Sequence, residues 1–405
     1  MKTAPLFARQ PILNAQKQVV GYELLFRDAS DTEHAQFKDG DQATSEVIFH
    51  AFTDMNLDTA TNGRRAFINV PPGFLGRMPE IEKDKVVLEL QETVSFTPRV
   101  VDQVKALKEQ GYLFALDEFN LREDNRKALK YVDIIRLDTN QLTEDQQTKY
   151  IKQLRPYHLK FLAEKVENQE QFDQCMELGF DFYQGYFFSK PQLVEGAAMA
   201  SDATVVLQLL AELNDPDLDV ESVYEIISRD SVLSYKLLKL INSSYFRRAK
   251  EIDSLHHGIV LLGIPQIRNW ANLLALCELD SSNNAMKNLA LVRARMCELL
   301  AERMGINNVF AAFTVGLFSC LEVFTNQPMD VLLKDLRLAA EVKSALLELS
   351  GIYGLLLKNT LAYERGDWND LDWQELNAHG IQDEDFEQIY FDAIIIADSF
   401  DSQLS

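Results

Sequence analysis

Across the first half of the chain, short apolar runs end repeatedly in a carboxylate or a carboxamide. Asn69 falls in FINV, Glu89 in VVLELQE, Asp117 and Glu118 in LFALDEF, Asp138 in IIRLD and Glu164 in FLAEKVE. Acidic groups gathered in one place repel one another and raise one another's pKa unless a cation neutralises them. Oxygen-only donors suit Mg2+ or Mn2+, whereas zinc prefers His or Cys. Ions held in this way would support metal-assisted phosphoryl chemistry. Each position taken singly has a plainer account, because Asp and Glu after a strand often cap the next helix. Five strand ends in register are harder to explain as caps.

The elements that must carry these groups are legible. The runs Ala66–Val70, Lys85–Leu90, Tyr112–Leu116, Ile134–Leu137 and Lys160–Ala163 are short and mostly branched or aromatic, which predicts buried parallel strands. Between them lies helix punctuation. Thr97 can cap a helix with Pro98 at its first position and Gly111 beyond its end. Thr143 with Gln146 has capping-box spacing, and Asn168 to Gly179 brackets another helix. Strand and helix alternating at this pitch make βα units. The apolar runs alone do not separate a closed barrel from an open doubly wound sheet. In a barrel, every strand's C-terminal end points to one rim, where active sites assemble.

After Pro191 the period changes. The stretches 204–213, 220–228, 231–242, 264–277, 286–304, 308–321, 336–349 and 383–397 read as helices. The segment Val232–Ile241 is apolar nearly all round and predicts a central, buried helix. The chain therefore divides into residues 1–195, a β/α domain, and 196–405, an all-helical domain with an acidic end.

Composition excludes several classes. The 405 residues carry 40 basic and 62 acidic side chains, a net charge of −22. Residues 196–405 hold 16 basic against 31 acidic groups, a balance that repels a phosphate backbone and speaks against nucleic-acid binding. The four cysteines (Cys175, Cys277, Cys297, Cys320) form no CxxC pair, as expected of reduced cytosolic thiols. Residues 1–11 lack the apolar core of a secretory signal, and no apolar run reaches the length of a membrane span. A cytoplasmic protein is the expectation.

The segments GYELLFR, FINV, LELQE, LDEF, RLD, AEKVE and YQGYFFSKP, in this order over about residues 5–191, resemble the EAL-type cyclic-di-GMP phosphodiesterases. The stretches SRDSVLSYKLLKLINSSYF and HHGIVLLGIPQIRNWANLLAL resemble the HDOD domain, an all-helical relative of HD phosphohydrolases that lacks their metal ligands. Together they look like a bacterial EAL–HDOD signalling protein. The resemblance implies a modified TIM-like β/α barrel followed by a helical domain. It implies hydrolysis of cyclic di-GMP to pGpG at a two-metal site of Mg2+ or Mn2+. The implied metal ligands are Glu23, Asn69, Glu89, Asp117 and Glu118. Glu164 and Glu167 would help hold metal and water, and Arg27 and Gln184 would contact the nucleotide. A protein partner for the helical half is implied as well, and a homodimer is left open.

The chain also departs from that pattern. The signature triplet is ELL, and Leu24 reads as packing. Glu118 stands where the family has a second Asp, which moves the charge by more than an ångström. Arg136, at a catalytic position, stands where the family has a Lys beside the attacking water, and its planar fork is bulkier than an ammonium. The loop after the paired acids reads NLREDNRKAL in place of the family's glycine- and serine-containing loop. The barrel half is short, which predicts reduced outer helices. Two readings follow: a working phosphodiesterase, or a degenerate barrel that binds the dinucleotide or acts as a scaffold through its helical half. The survival of the carboxylates favours the first.

Other motifs carry less. His256 and His257 are adjacent and cannot share a helical face, so capping or surface roles fit better than metal binding. No GxSxG, GxGxxG or GxxxxGK[ST] occurs. Trp270 reads as a helix-packing residue, with partner binding the sharper alternative.

Overall fold

The computed structural model describes residues 7–26, 57–78, 81–91, 94–117, 129–185, 201–242, 252, 254–279, 284–325 and 327–404. The chain forms two compact units, Met1–Phe188 with Tyr363–Asn369, and Ser189–Ala362 with Asp370–Ser405.

The first unit is a closed eight-stranded barrel: β1 (Phe7–Leu13), β2 (Val19–Phe26), β3 (Arg65–Asn69), β4 (Val86–Leu90), β5 (Leu113–Leu116), β6 (Ile134–Asp138), β7 (Lys160–Glu164) and β8 (Phe182–Tyr183). Neighbours from β2 to β8 run parallel. β1 closes the ring antiparallel to both β2 and β8. The β1–β2 turn is held by Asn14, whose Oδ1 accepts from the backbone N–H of Gln16 and Gln18. That is the local geometry Asn favours in turns.

Barrel interiors follow the period of two along each strand. Ile12, Phe67, Val87, Ala115, Ile134 and Leu162 form one buried apolar layer. Gly21 leaves space for it: a Cβ there would lie 2.7 Å from the Phe67 ring and 2.8 Å from the Arg65 carbonyl oxygen.

The surrounding helices in this unit are α1 (Leu57–Thr61), α2 (Pro98–Glu109), α3 (Glu144–Leu154) and α4 (Gln169–Leu178). Their caps match the sequence signals. Thr97 Oγ1 accepts from Val100 N–H, Thr143 and Gln146 form a reciprocal capping box, and Asn168 accepts from Gln171 N–H. Gly179 ends α4 at φ +86°. Between β3 and β4 the described residues contain only 3-10 turns, Leu75–Arg77 and Lys83–Lys85, so the outer layer is reduced there.

The second unit is helical: α5 (Ser201–Leu213), α6 (Val220–Ser228), α7 (Ser231–Ile241), α8 (Leu255–Leu262), α9 (Ile264–Leu279), α10 (Asn284–Arg303), α11 (Val309–Phe318), α12 (Leu321–Thr325), α13 (Met329–Asp335), α14 (Ala340–Glu348), α15 (Gly351–Arg365), α16 (Trp373–Ala378) and α17 (Asp383–Leu404). α7 is not the central helix its apolar sequence predicts. Leu233, Leu237, Leu240 and Ile241 are buried, but Val232 and Tyr235 are 53% and 68% exposed. One face packs, and the composition alone did not say which. Trp270 is buried, its ring centroid 5.9 Å from that of Phe313, which is the packing role. No helix among the described residues is long and apolar enough to cross a membrane.

Candidate active site

One step further along each strand from the apolar layer, the inward positions become polar. Two residues beyond Phe67, Val87, Ala115, Ile134 and Leu162 stand Asn69, Glu89, Asp117, Arg136 and Glu164. Glu23 lies two beyond Gly21, and Gln184 two beyond Phe182. On the antiparallel β1 the same step runs backwards from Ile12 to Gln10, which pairs with Glu23 across the ladder. Strand register alone therefore assembles a polar ring on an apolar floor.

Arg136 crosses that ring. It is 3% exposed. Its Nε donates to Glu164 Oε1. Nη2 donates to Glu23 Oε2 at 3.0 Å and to Gln184 Oε1 at 3.2 Å, and Nη1 to Glu23 Oε1 at 3.3 Å. Nη1 also pairs with Glu89 Oε1, and Nε lies 3.7 Å from Asp117 Oδ1. Gln184 Nε2 bridges Glu23 Oε2 at 2.6 Å and Gln10 Oε1 at 3.1 Å, and Asn69 Nδ2 reaches Glu23 Oε1 at 3.4 Å.

The electrostatics follow from these contacts. Burial pushes Glu23 upward, but the Arg136 charge and the hydrogen bonds from Arg136, Gln184 and Asn69 together hold it below its ordinary value. Burial drives Glu89 well up against the Arg136 charge, with Glu23, Asp117 and Glu164 adding to the rise. Burial likewise pushes Glu164 to about 8, against Arg136. Burial works to lower the Arg136 pKa, yet the four surrounding carboxylates raise it well above its ordinary value.

Glu89 is fully buried; its Oε1 is met by Arg136 Nη1, but its Oε2 has no hydrogen-bond donor, and neither does the buried Asn69 Oδ1. Hard oxygen donors with unmet lone pairs have the chemistry that Mg2+ or Mn2+ takes. Among the described residues no three carboxylates, imidazoles or thiolates close on one point as a metal cage would. The guanidinium lies between them instead.

The expected site residues divide as follows. Glu23, Asn69, Glu89, Asp117, Arg136, Glu164 and Gln184 share the ring. Glu167 is exposed on the loop after β7, where it accepts from Asn140 Nδ2 at 2.9 Å. Arg27 and Glu118 lie outside the described residues. Asp138 is buried in the turn after β6 and does not cap the next helix, which Thr143 does: it accepts from the N–H groups of Asn140 and Gln141 and pairs with Lys165 at 2.6 Å. Gln10 went unnoticed in the sequence. The two-residue step back from Ile12 was its signal, hidden because β1 runs opposite to its neighbours.

Gln184 is placed by backbone. Its N–H donates to Ala163 O, and its carbonyl accepts from Val166 N–H. Gly185 follows at φ +152°, and a Cβ on it would lie 2.3 Å from Val166 N and 2.4 Å from Val166 O. Only glycine fits that approach.

Comparison with known proteins decides the family. Residues 31–191 match the family described as EAL domain, and 199–345 match HDOD domain. The chain is 33% identical over 367 residues to the cyclic di-GMP phosphodiesterase CdgJ of Vibrio cholerae, covering 89% of this chain and 85% of that one. It is 32% identical over 373 residues to YuxH of Bacillus subtilis, covering 89% of this chain and 91% of the other. The chain belongs to the EAL–HDOD family. Its EAL half also resembles the structure of Klebsiella pneumoniae BlrP1 with manganese and cyclic di-GMP. That likeness is 22% identical with a TM-score of 0.39, over 45% of this chain and 55% of that one. The EAL match begins after Glu23, so the place of that residue in the EAL ring is given by the β2–β3 register and by its bonds to Arg136.

Proposed function

We propose that the EAL half hydrolyses cyclic di-GMP to the linear dinucleotide pGpG with the help of divalent cations. The observation that carries this reading is the convergence of Glu23, Glu89, Asp117 and Glu164 with Asn69 in one inward layer of the barrel. A relative named as a cyclic di-GMP phosphodiesterase, aligned along most of both chains, supports it.

Glu23, Asn69, Glu89, Asp117 and Glu118 would hold the cations. Bound divalent ions supply a lowered pKa for a water molecule and charge neutralisation on the phosphoryl oxygens. The chain's own residues do the rest. Gln184 Nε2 and Asn69 Nδ2 fix the Glu23 carboxylate in one orientation, and Arg27 would grip a non-bridging phosphate oxygen. Glu164 and Glu167 would steady the water. Mg2+ is proposed as the working ion, with Mn2+ as its substitute. The cytoplasm is the proposed location, residue 195 the proposed boundary between the halves, and the HDOD half the proposed seat of a protein partner. A homodimer belongs to the same proposal.

The test is turnover. Purified full-length protein is incubated with cyclic di-GMP and Mg2+ or Mn2+, and pGpG is followed by chromatography. Turnover well above a Glu23→Ala control is expected; equal rates end the hydrolytic reading.

One observation favours a second reading, in which the barrel binds the dinucleotide without cleaving it. Arg136 lies across Glu23, Glu89 and Glu164, the oxygens that the cations need. Calorimetry with cyclic di-GMP in Ca2+ distinguishes the two: heat of binding without turnover in Mg2+ selects this reading, and a flat titration removes both.

A further inference from the structure

The Arg136 side chain is buried within the ring. It starts from an inward position of β6, between two paired strands and directly above Ile134 in the sealed apolar layer. Its donors meet Glu23, Glu164 and Gln184, and its charge faces Glu89 and Asp117. A planar fork presents its donors in fixed directions to several carboxylates at once, whereas an ammonium gathers its three donors on one nitrogen at the end of a flexible stem. Buried carboxylates left without a counter-charge are costly, so the guanidinium stabilises the ring by itself. One positive charge among four acids still leaves the ring able to attract further cation. Glu89 Oε2 and Asn69 Oδ1, both buried and without a hydrogen-bond donor, mark where that capacity remains.

We propose that Arg136 is the resident cation of the ring, and that a divalent ion binds by displacing its guanidinium from Glu23 and Glu89, so that Arg136 sets the metal affinity. The inference rests on the reading that the ring takes divalent ions, but it concerns affinity and not turnover. It makes the EAL half of this chain a fold that stands without metal and loads it reluctantly.

Mn2+ binding to the full-length protein, followed by the electron paramagnetic resonance of free Mn2+, tests it. Arg136→Met, uncharged and unbranched, is expected to bind Mn2+ at least tenfold more tightly than wild type, with Arg136→Lys between them. Thermal melts give a second readout. The wild-type Tm should be indifferent to EDTA, whereas the Arg136→Met Tm should fall in EDTA and rise with Mn2+, since a ligand that binds only the folded state stabilises it. If Arg136→Met needs Mn2+ to fold, that dependence is itself the expected result, and Arg136→Lys supplies the affinity comparison. Equal Mn2+ affinity in all three proteins overturns the inference alone. No Mn2+ binding by any of them overturns it together with the metal reading, and loss of turnover with the affinity order intact touches only the hydrolytic reading.

Discussion

Replacing Gly185 by alanine drives a methyl group into the backbone of the loop after β7. The new Cβ would sit 2.3 Å from Val166 N, 2.4 Å from Val166 O and 2.9 Å from Lys165 C, where ordinary contact begins at 3.4 Å. These are backbone atoms and cannot swing aside, so the two chain segments must separate by about 1 Å. A non-glycine residue at φ +152° costs about 1–3 kcal/mol in strain, and forced overpacking adds about 1–3 kcal/mol. Gly185→Ala should therefore lose about 2–6 kcal/mol of barrel stability in urea titrations followed by circular dichroism. The same shift would pull Val166 N–H from Gln184 O and loosen Gln184 from Glu23, so cyclic di-GMP affinity should fall with it. Gly63→Ala is the control: its φ is +65° and no heavy atom lies within 4 Å of the added Cβ, which leaves backbone strain alone, about 1 kcal/mol. A Gly185→Ala loss under about 0.5 kcal/mol, or one equal to the control, would refute the close-approach argument.

Gly21→Ala should destabilise the barrel by about 1–3 kcal/mol in the same titration, because its methyl would press on the Phe67 ring and the Arg65 carbonyl; the double change with Phe67→Leu should recover part of the loss. In the helical half, Asn214 and Asn272 exchange hydrogen bonds at 3.2 and 3.3 Å while buried, so Asn272→Ala should cost about 1–3 kcal/mol, and the double alanine variant should cost less than the sum of the singles. Burial, with Glu384 adding to it, pushes Glu387 up to about 7. A carboxyl raised in the folded state favours folding while protonated, and that advantage disappears as pH rises from about 4.5 through 7. Glu387→Gln should flatten the melting temperature across that window and be the more stable protein at pH 8, by on the order of 1–2 kcal/mol; an unchanged pH profile counts against it.

How much could be read without coordinates depended on how each element is buried. The strands predicted at Ala66–Val70, Lys85–Leu90, Tyr112–Leu116, Ile134–Leu137 and Lys160–Ala163 agree with β3 to β7 within about one residue, since strands covered on both faces read as unbroken apolar runs. β1 carries Gln10, which faces the ring, between outward-facing Arg9 and Pro11, and β2 carries Glu23, so polar residues on both faces break their apolar signal. β8 is two residues long, too short to show any period. In the helical half, α8, α13, α15 and α16 were not anticipated. Gly258 lies within α8 and meets Ile241 closely, and Gly354 in α15 lies against the Leu349 backbone, so tight packing selected residues that weaken a helical pattern. Glu89, Asp117 and Glu164 were legible one by one, because strands announce where they end, whereas Glu23 was reached only through the family resemblance. That Arg136 would join them was not legible, because whether an inward arginine faces substrate or carboxylates is settled by three-dimensional neighbours.

The plug of Ile12, Phe67, Val87, Ala115, Ile134 and Leu162 beneath the ring has a consequence for traffic. A tube filled at its base by these buried side chains leaves, among the described residues, the rim as its doorway. Whatever visits the acids must leave the way it came, so a spent molecule stands in the path of the next arrival.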